Sequence, residues 1–523
     1  AFGSRRCDQR SLKQRSSMNR IRLAILNLFL TVGCACAVEG TLTVSVTEES
    51  NGEETITRME LVRATKPDKA MPVRKTVPAG IGVVLDRSVE VSLPASAYQF
   101  RLIRGPEYRI ITGNFTLDKT SLDEHNVALP RMINMLEHGW TSGDCCVPTS
   151  PYSLPLRMAS EDLHVAATLG HQAAKPIAGR KSEEPLQGEP HWIREDVSHL
   201  GGLTIYGSIA TPELKSGSLP VQALVRAARD DRLRVAVENP FAWALPVWLA
   251  SGQVDGFFLM GDWLRLDRNI SRLTDSRGIE GLTTGGGTAL GRWGERVYWN
   301  LLEAGLRIPP LAGSGDKPGK TPVGYNRMYV AMPDSKDPAD PLAVARVTSP
   351  EQWWNAAWKG QSLITNGPLM RPKLAGEIPG HVFNANRGEV LQLQPELALS
   401  VRDPVEYLEV ILNGQVVYSA RLDEFARAGG RIPVLEIKES SWVTIRVVTL
   451  VEEHFRAALT APWYIDFDYQ PRIKKSAVEF FQRWLNDYEQ RLKQLPPQQL
   501  QPHVPYVQAA RKFWAERYAR SEP

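Results

Sequence analysis

Chemistry-bearing side chains are concentrated in the run Gly143-Asp144-Cys145-Cys146-Val147-Pro148. A carboxylate beside two thiols can serve a soft divalent cation, because thiolates are good zinc ligands, or sulfur redox chemistry. The plainer account of the two thiols is that of small, inert, partly buried hydrophobes. Asp144 suits a catalytic role and equally a structural one, accepting backbone amides near its strand. Elsewhere Glu238 stands in Val237-Glu238-Asn239-Pro240, His164 follows Glu161-Asp162-Leu163, and Asp316 closes Gly313-Ser314-Gly315-Asp316. Asp144, His164 and Glu238 are the catalytic candidates; Glu238, Cys146 and Asp316 are the candidate metal ligands. With an ion in place, the chemistry would be attack by a metal-activated water. Glu161 and Asp162 are further polar candidates, and His171, His191 and His199 lie in a stretch without a motif. A single histidine between strand and loop is more often hydrogen-bonded scaffolding than a ligand.

One apparent motif is a decoy. Gly313 to Thr321 reads GSGDKPGKT, close to a phosphate-binding loop, but counting back from Gly319 puts Ser314 where the first glycine belongs. Pro318 removes an amide that a phosphate cradle needs, and Val323 to Val330 reads as a strand rather than the required helix. Gly285-Gly286-Gly287 reads only as a loop.

The elements that must position these residues fall into blocks. Over 38–132, Thr41 to Val46, Val89 to Leu93 and Tyr98 to Leu102 alternate in period two, separated by turn residues such as Ser50-Asn51-Gly52. Such spacing predicts a small β-sandwich of binding or spacing character. From 133 to 375, apolar strand-like pieces (203–206, 233–237, 256–260) alternate with helical ones (221–229, 292–305). That texture predicts an α/β barrel or layered α/β domain, with 172–190 as a surface loop. Residues 376–470 return to strands, with Asn413-Gly414 as a hairpin turn, and predict a second β-sandwich. The tail, 471–523, holds two helical stretches around Pro496-Pro497 that mix charge with aromatics and are expected to pack back on the body.

A chain of 523 residues exceeds one hydrophobic core, so several domains are expected. Of its 62 basic and 58 acidic residues, seven and one fall within 1–37, which leaves 55 and 57, a net of −2. A near-neutral body without a basic stripe argues against nucleic acid as a partner. The basic residues belong to a leader: Met18 to Arg22, an apolar run from Leu23 to Val32, then Ala35-Cys36-Ala37. These are the three parts of a secretory signal peptide, so export to a periplasmic or extracellular space is expected, with membrane contact only through the leader. Residues 1–17 read as upstream sequence. Cleavage after Ala37 would leave Cys145 and Cys146, which, being adjacent, rarely reach disulfide geometry.

Several blocks in the middle region resemble the CehA/McbA-type metallohydrolases of the polymerase-and-histidinol-phosphatase (PHP) superfamily. They are Gly139-Trp140-Thr141-Ser142-Gly143-Asp144, Ala159 to Ala166, Pro246 to Gly252, Gly305 to Pro310 with Ala312-Gly313-Ser314, Pro322 to Arg327, and Thr365-Asn366-Gly367-Pro368. They run in matching order over roughly 139–372. The resemblance implies a distorted PHP-like β/α barrel, flanked by N- and C-terminal β-sandwiches, with a metal site at one end of the barrel strands. The family's diagnostic stretch is Gly-Asp-x-His-x-His, in which two imidazoles two residues apart face one metal. Here Cys146 and Pro148 stand at the histidine positions. Glu238 matches a barrel carboxylate, but Ala244 replaces a frequent aspartate. The Asn-His pair expected near Met260-Gly261-Asp262-Trp263 is absent, and the loop at Asp316 lacks its histidine.

Three functions follow as expectations. The first is a catalytically impaired relative retained for binding or scaffolding, with no cofactor and an unknown small molecule or extracellular polymer as partner. The second, implied by the resemblance, is a working hydrolase of esters, carbamates or phosphates with a remodelled site in which Glu238, Asp144 and Cys146 surround one zinc, manganese or iron. The third is a carbohydrate- or polymer-binding protein using tryptophan-rich surfaces such as Trp353, Trp354 and Trp358, although a helix there favours core packing.

Overall fold

The computed structural model describes residues 39–523 apart from 75, 150–152, 170–190, 208–217, 266–274, 278–285, 334–339 and 452–453. The leader, His171, Gly285 and the loop at 172–190 lie outside the described residues. The protein is mixed α/β, with most of its regular structure in sheets.

Alternation in the first hundred residues produces two sheets. The strand Glu39–Glu48 pairs antiparallel with Ser88–Pro94 and parallel with Leu122–Leu129. A second, six-stranded sheet is built around Ile56–Arg63. The inward residues Leu42, Val44 and Val46 of one sheet share a core with Leu61, Leu85, Phe100 and Leu102 of the other. Two apolar sheet faces close on each other there, while Ile56 and Val84 of the six-stranded sheet are buried in a separate cluster with Leu156 and Ala159.

The candidate residues sit on a larger sheet. Its strands are β1 (Thr141–Val147), β2 (Val165–Leu169), β3 (Trp192–Leu200), β4 (Leu203–Tyr206), β5 (Arg234–Val237), β6 (Gly256–Met260) and β7 (Pro310–Ala312). β1, β2 and β3 are mutually parallel, β4 is antiparallel to both β3 and β5, and β5, β6 and β7 are parallel again. Six of the seven therefore run the same way. β6, Gly-Phe-Phe-Leu-Met, is buried at every residue, as expected of a strand covered on both faces. The strip curls: beyond β7, the Gly315 amide donates to the Cys146 carbonyl at 2.9 Å.

On its other side β1 pairs with β8 (Arg327–Val330), and β8 pairs with β9 (Ser362–Thr365). The ladder does not stop there. β9 pairs with the strand Ala457–Thr460, which pairs with Ser441–Thr449 and so reaches Val405–Leu412 and Gln415–Ala420. A hairpin turn at Asn413-Gly414 joins the last two, with φ of 52° and 75°, as a type I′ turn requires. Trp140, Tyr329 and Leu363 share a core with Leu408, Val447 and Trp463. The C-terminal strands are thus continuous, in hydrogen bonds and in core, with the sheet that carries the candidate residues.

The tail forms helices Lys475–Leu492 and Val504–Ala519. Val478, Phe481, Leu485, Tyr488 and Leu492 recur at helical spacing and are buried. Phe481 stacks on Trp514 at 4.9 Å, and the Trp514 indole N–H donates to the Pro246 carbonyl at 3.0 Å. Among the described residues no helix is long and apolar enough to cross a membrane.

Candidate functional site

Because β1, β2, β3, β5, β6 and β7 share a direction, the ends where they finish form one rim. Cys146 lies near the end of β1, Glu238 directly follows β5, Asp262 follows β6, and Asp316 follows β7. His164 precedes β2, at the end where the strands begin. The structure therefore separates His164 from Glu238 along the strand direction and does not unite the three catalytic candidates.

Asp144 is fully buried. Its carboxylate accepts the backbone amides of Cys146 and Ser314, each at 3.0 Å, the amide of Gly324 at 2.8 Å, and the Ser314 hydroxyl. Four donors from three chain segments converge on one side chain, so Asp144 clasps the loops after β7 and before β8 onto β1. Burial nevertheless outweighs the Ser314 hydroxyl and the three amides and pushes its carboxyl up to about 6.

Asp316 is 3% exposed. It forms an ion pair with the equally buried Arg157 and accepts the Thr149 hydroxyl at 2.6 Å. Glu238 accepts the Thr204 hydroxyl at 2.9 Å and the ring Nδ1–H of His199. His199 comes from the stretch of β3 that carries no motif. Nothing local in the sequence signals these pairings, since Arg157 and Asp316 are 159 residues apart.

Cys145 and Cys146 are both buried and neither is in a disulfide. Burial pushes the Cys145 thiol far up, and its sulfur rests 3.4 Å from that of Met328. Cys146 faces Gly313, where an added Cβ would lie 2.5 Å from the Cys146 Cβ. At Cys145, an uncharged thiol in such packing is a poor ligand and a poor nucleophile.

His164 is buried and bonds through Nδ1 to the Ser142 hydroxyl at 2.8 Å. Burial lowers its pKa to about 4, so the ring is neutral at physiological pH. Its neighbours Glu161 and Asp162 serve the N-terminal sandwich. Glu161 pairs with Arg58, and Asp162 pairs with Arg104 at 3.2 Å and Arg131 at 2.9 Å. Burial pushes the Asp162 carboxyl up, but Arg104 and Arg131 prevail and hold it at about 2. Trp353 is fully buried and Trp354 is 6% exposed. They meet edge to face at 4.8 Å, and the Trp353 indole N–H donates to the Thr141 carbonyl at 3.0 Å. Trp353 and Trp354 are core, while Trp358, stacked on Trp354 at 5.5 Å, is only partly buried.

Asp144, Asp316 and Glu238 each accept from protein donors, Pro148 offers no side-chain ligand, and among the described residues no group of three or more His, Cys, Asp or Glu side chains is disposed to hold a metal. No helix follows the Ser314–Thr321 segment; β8 comes next, so the phosphate-loop geometry is not formed.

No family model matches the chain, and no curated protein matches it. Among solved structures, the Bacillus anthracis TIE protein is 13% identical with a TM-score of 0.14 over 22% of this chain, and the match spans 20% of that protein. The N-terminal four Ig domains of Dscam1 isoform 8.4 are 6% identical with a TM-score of 0.13, covering 82% of this chain and 72% of that one. At such scores neither likeness carries an argument about fold or function.

Proposed function

We propose that the chain is an exported PHP-like member of the metallohydrolase family that has lost hydrolytic capacity and is retained for binding or scaffolding. The ordered sequence blocks over 139–372 support the family reading. The curl of six like-directed strands, which brings Gly315 to Cys146, is compatible with a distorted barrel. The leader pattern at 18–37 supports export.

One observation carries the proposed loss of catalysis: Asp144, Asp316 and Glu238 spend oxygens on the protein itself. Asp144 holds two loops, Asp316 neutralises Arg157, and Glu238 holds Thr204 and His199. A hydrolytic cation needs several such oxygens or imidazoles turned toward a common point.

Metal analysis of the purified full chain, paired with hydrolysis of a model ester, tests this reading. Substoichiometric zinc, manganese and iron with no hydrolysis is expected. A stoichiometric ion with turnover would overturn it. Cys146→His combined with Pro148→His is expected to raise metal occupancy.

A further inference from the structure

A groove of about 660 Å³ opens between the helix Ala289–Glu303, the hairpin tip at 412–417 and the segment leading into the tail helices. None of its lining residues belongs to the rim described above. Its floor is Trp299, which is only partly buried. Trp299 stacks on Trp442 with ring centroids 5.5 Å apart, and the Arg446 guanidinium lies 6.0 Å from the same ring. Trp442 and Arg446 stand four residues apart on one strand, so they approach from the same side; the Tyr298 ring lies 6.5 Å away, and the partly buried Trp299 lines the groove. Ligand clefts of this size and mixed lining are ordinary binding sites.

The charges of the lining do not cancel. Arg292, Arg296, Arg472 and Lys474 face two acids, Glu295 and Glu303, a net of +2. Glu295 is engaged by Arg446 at 2.6 Å and Arg292 at 3.3 Å, Glu303 by Arg472 at 3.1 Å and the Trp442 indole N–H at 2.8 Å, and Arg472 also meets Glu439 at 2.8 Å, which leaves Arg296 as the lining arginine with no acidic partner among the described residues. Arg296 is exposed, with its guanidinium 5.2 Å from the Trp293 ring. Asn300 and Gln415 add planar amide groups beside Trp299. An aromatic platform, planar amides and surplus cationic charge match a sugar ring that carries a carboxylate.

We propose that this groove binds an acidic saccharide, with a uronate ring lying on Trp299, its carboxylate directed at Arg296, and its hydroxyls meeting Asn300 and Gln415. The proposal goes beyond the non-hydrolytic reading and does not rest on it, because the metal assay interrogates different residues.

Calorimetric titration of the full chain with tetragalacturonate at low salt is the test. Saturable binding is expected, weakened about tenfold or more by Trp299→Ala and by Arg296→Glu, the scale of one aromatic or charged contact. Trp299→Phe should keep part of the affinity, which separates lost stacking from a damaged fold. Arg296→Glu should unfold at the wild-type urea concentration, since that side chain is exposed. Failure of the wild type to bind, equal binding of the neutral galactose tetramer, or wild-type affinity in Arg296→Glu would overturn the proposal. Displacement of the saccharide by an equal concentration of inorganic phosphate would also overturn it, marking a simple anion site.

Discussion

Arg157→Met removes the cation that neutralises Asp316 while keeping most of the buried volume. Both side chains are 4% exposed or less, so the aspartate cannot recruit water. Stripping one partner from a buried ion pair costs roughly 3–5 kcal/mol. The Thr149 hydroxyl, 2.6 Å away, offsets about 1 kcal/mol of that. The variant is therefore expected to lose about 3 kcal/mol. Urea unfolding near neutral pH, followed by tryptophan fluorescence, reads this directly. Adding Asp316→Asn should restore all but about 1 kcal/mol, since the Thr149 contact survives without a charge. A loss under about 1 kcal/mol, or a double variant no better than the single, would refute the pairing argument. Bound metal in Arg157→Met with undiminished stability would instead mark Asp316 as a ligand held in reserve.

Three further outcomes follow from the same geometry. The Asp144 carboxyl is raised to about 6 by burial, so its contribution to stability is fully present below about pH 4 and is lost as pH rises through 6; Asp144→Asn should remove roughly 3 kcal/mol of that slope, measured as urea stability against pH. Gly143→Ala would drive a methyl group into the Trp353 ring, and an overpacking loss of about 1–3 kcal/mol is expected in urea unfolding. Trp514→Ala should cost about 3–5 kcal/mol by emptying a fully buried indole site, read as a lowered unfolding midpoint.

Local patterns in the sequence recover local structure. The alternation of Thr41 to Val46 appears as buried Leu42, Val44 and Val46, and Gly256 to Met260 is the strand its apolar run predicts. The helix read over 292–305 spans Ala289–Glu303, shifted by the usual uncertainty of helix ends. Asn413-Gly414 makes its turn because only such residues accept positive φ in succession without strain. What the sequence hides is pairing at a distance. The β9 ladder to Ala457–Thr460 joins residues almost a hundred positions apart, and period-two alternation is the same whichever strand lies alongside. Hence the division near residue 375 is a change in texture but not a break in the sheet. The site was hidden in the same way. Asp144 was legible as an amide-accepting group, yet that its donors would include Ser314 and Gly324 depends on the curl of the sheet. The partners of Asp316 and Glu238, Arg157 and His199, carry no motif.

The uninterrupted ladder from β1 through β9 into the C-terminal strands has a mechanical consequence. Among the described residues the rim and the far hairpin are joined strand to strand, so a displacement of one is passed to the other through successive interstrand ladders. Severing the chain near residue 375 would leave bare both β9 and its partner strand, two complementary edges ready to recruit any extended peptide, so the fragments would sooner clump than fold apart.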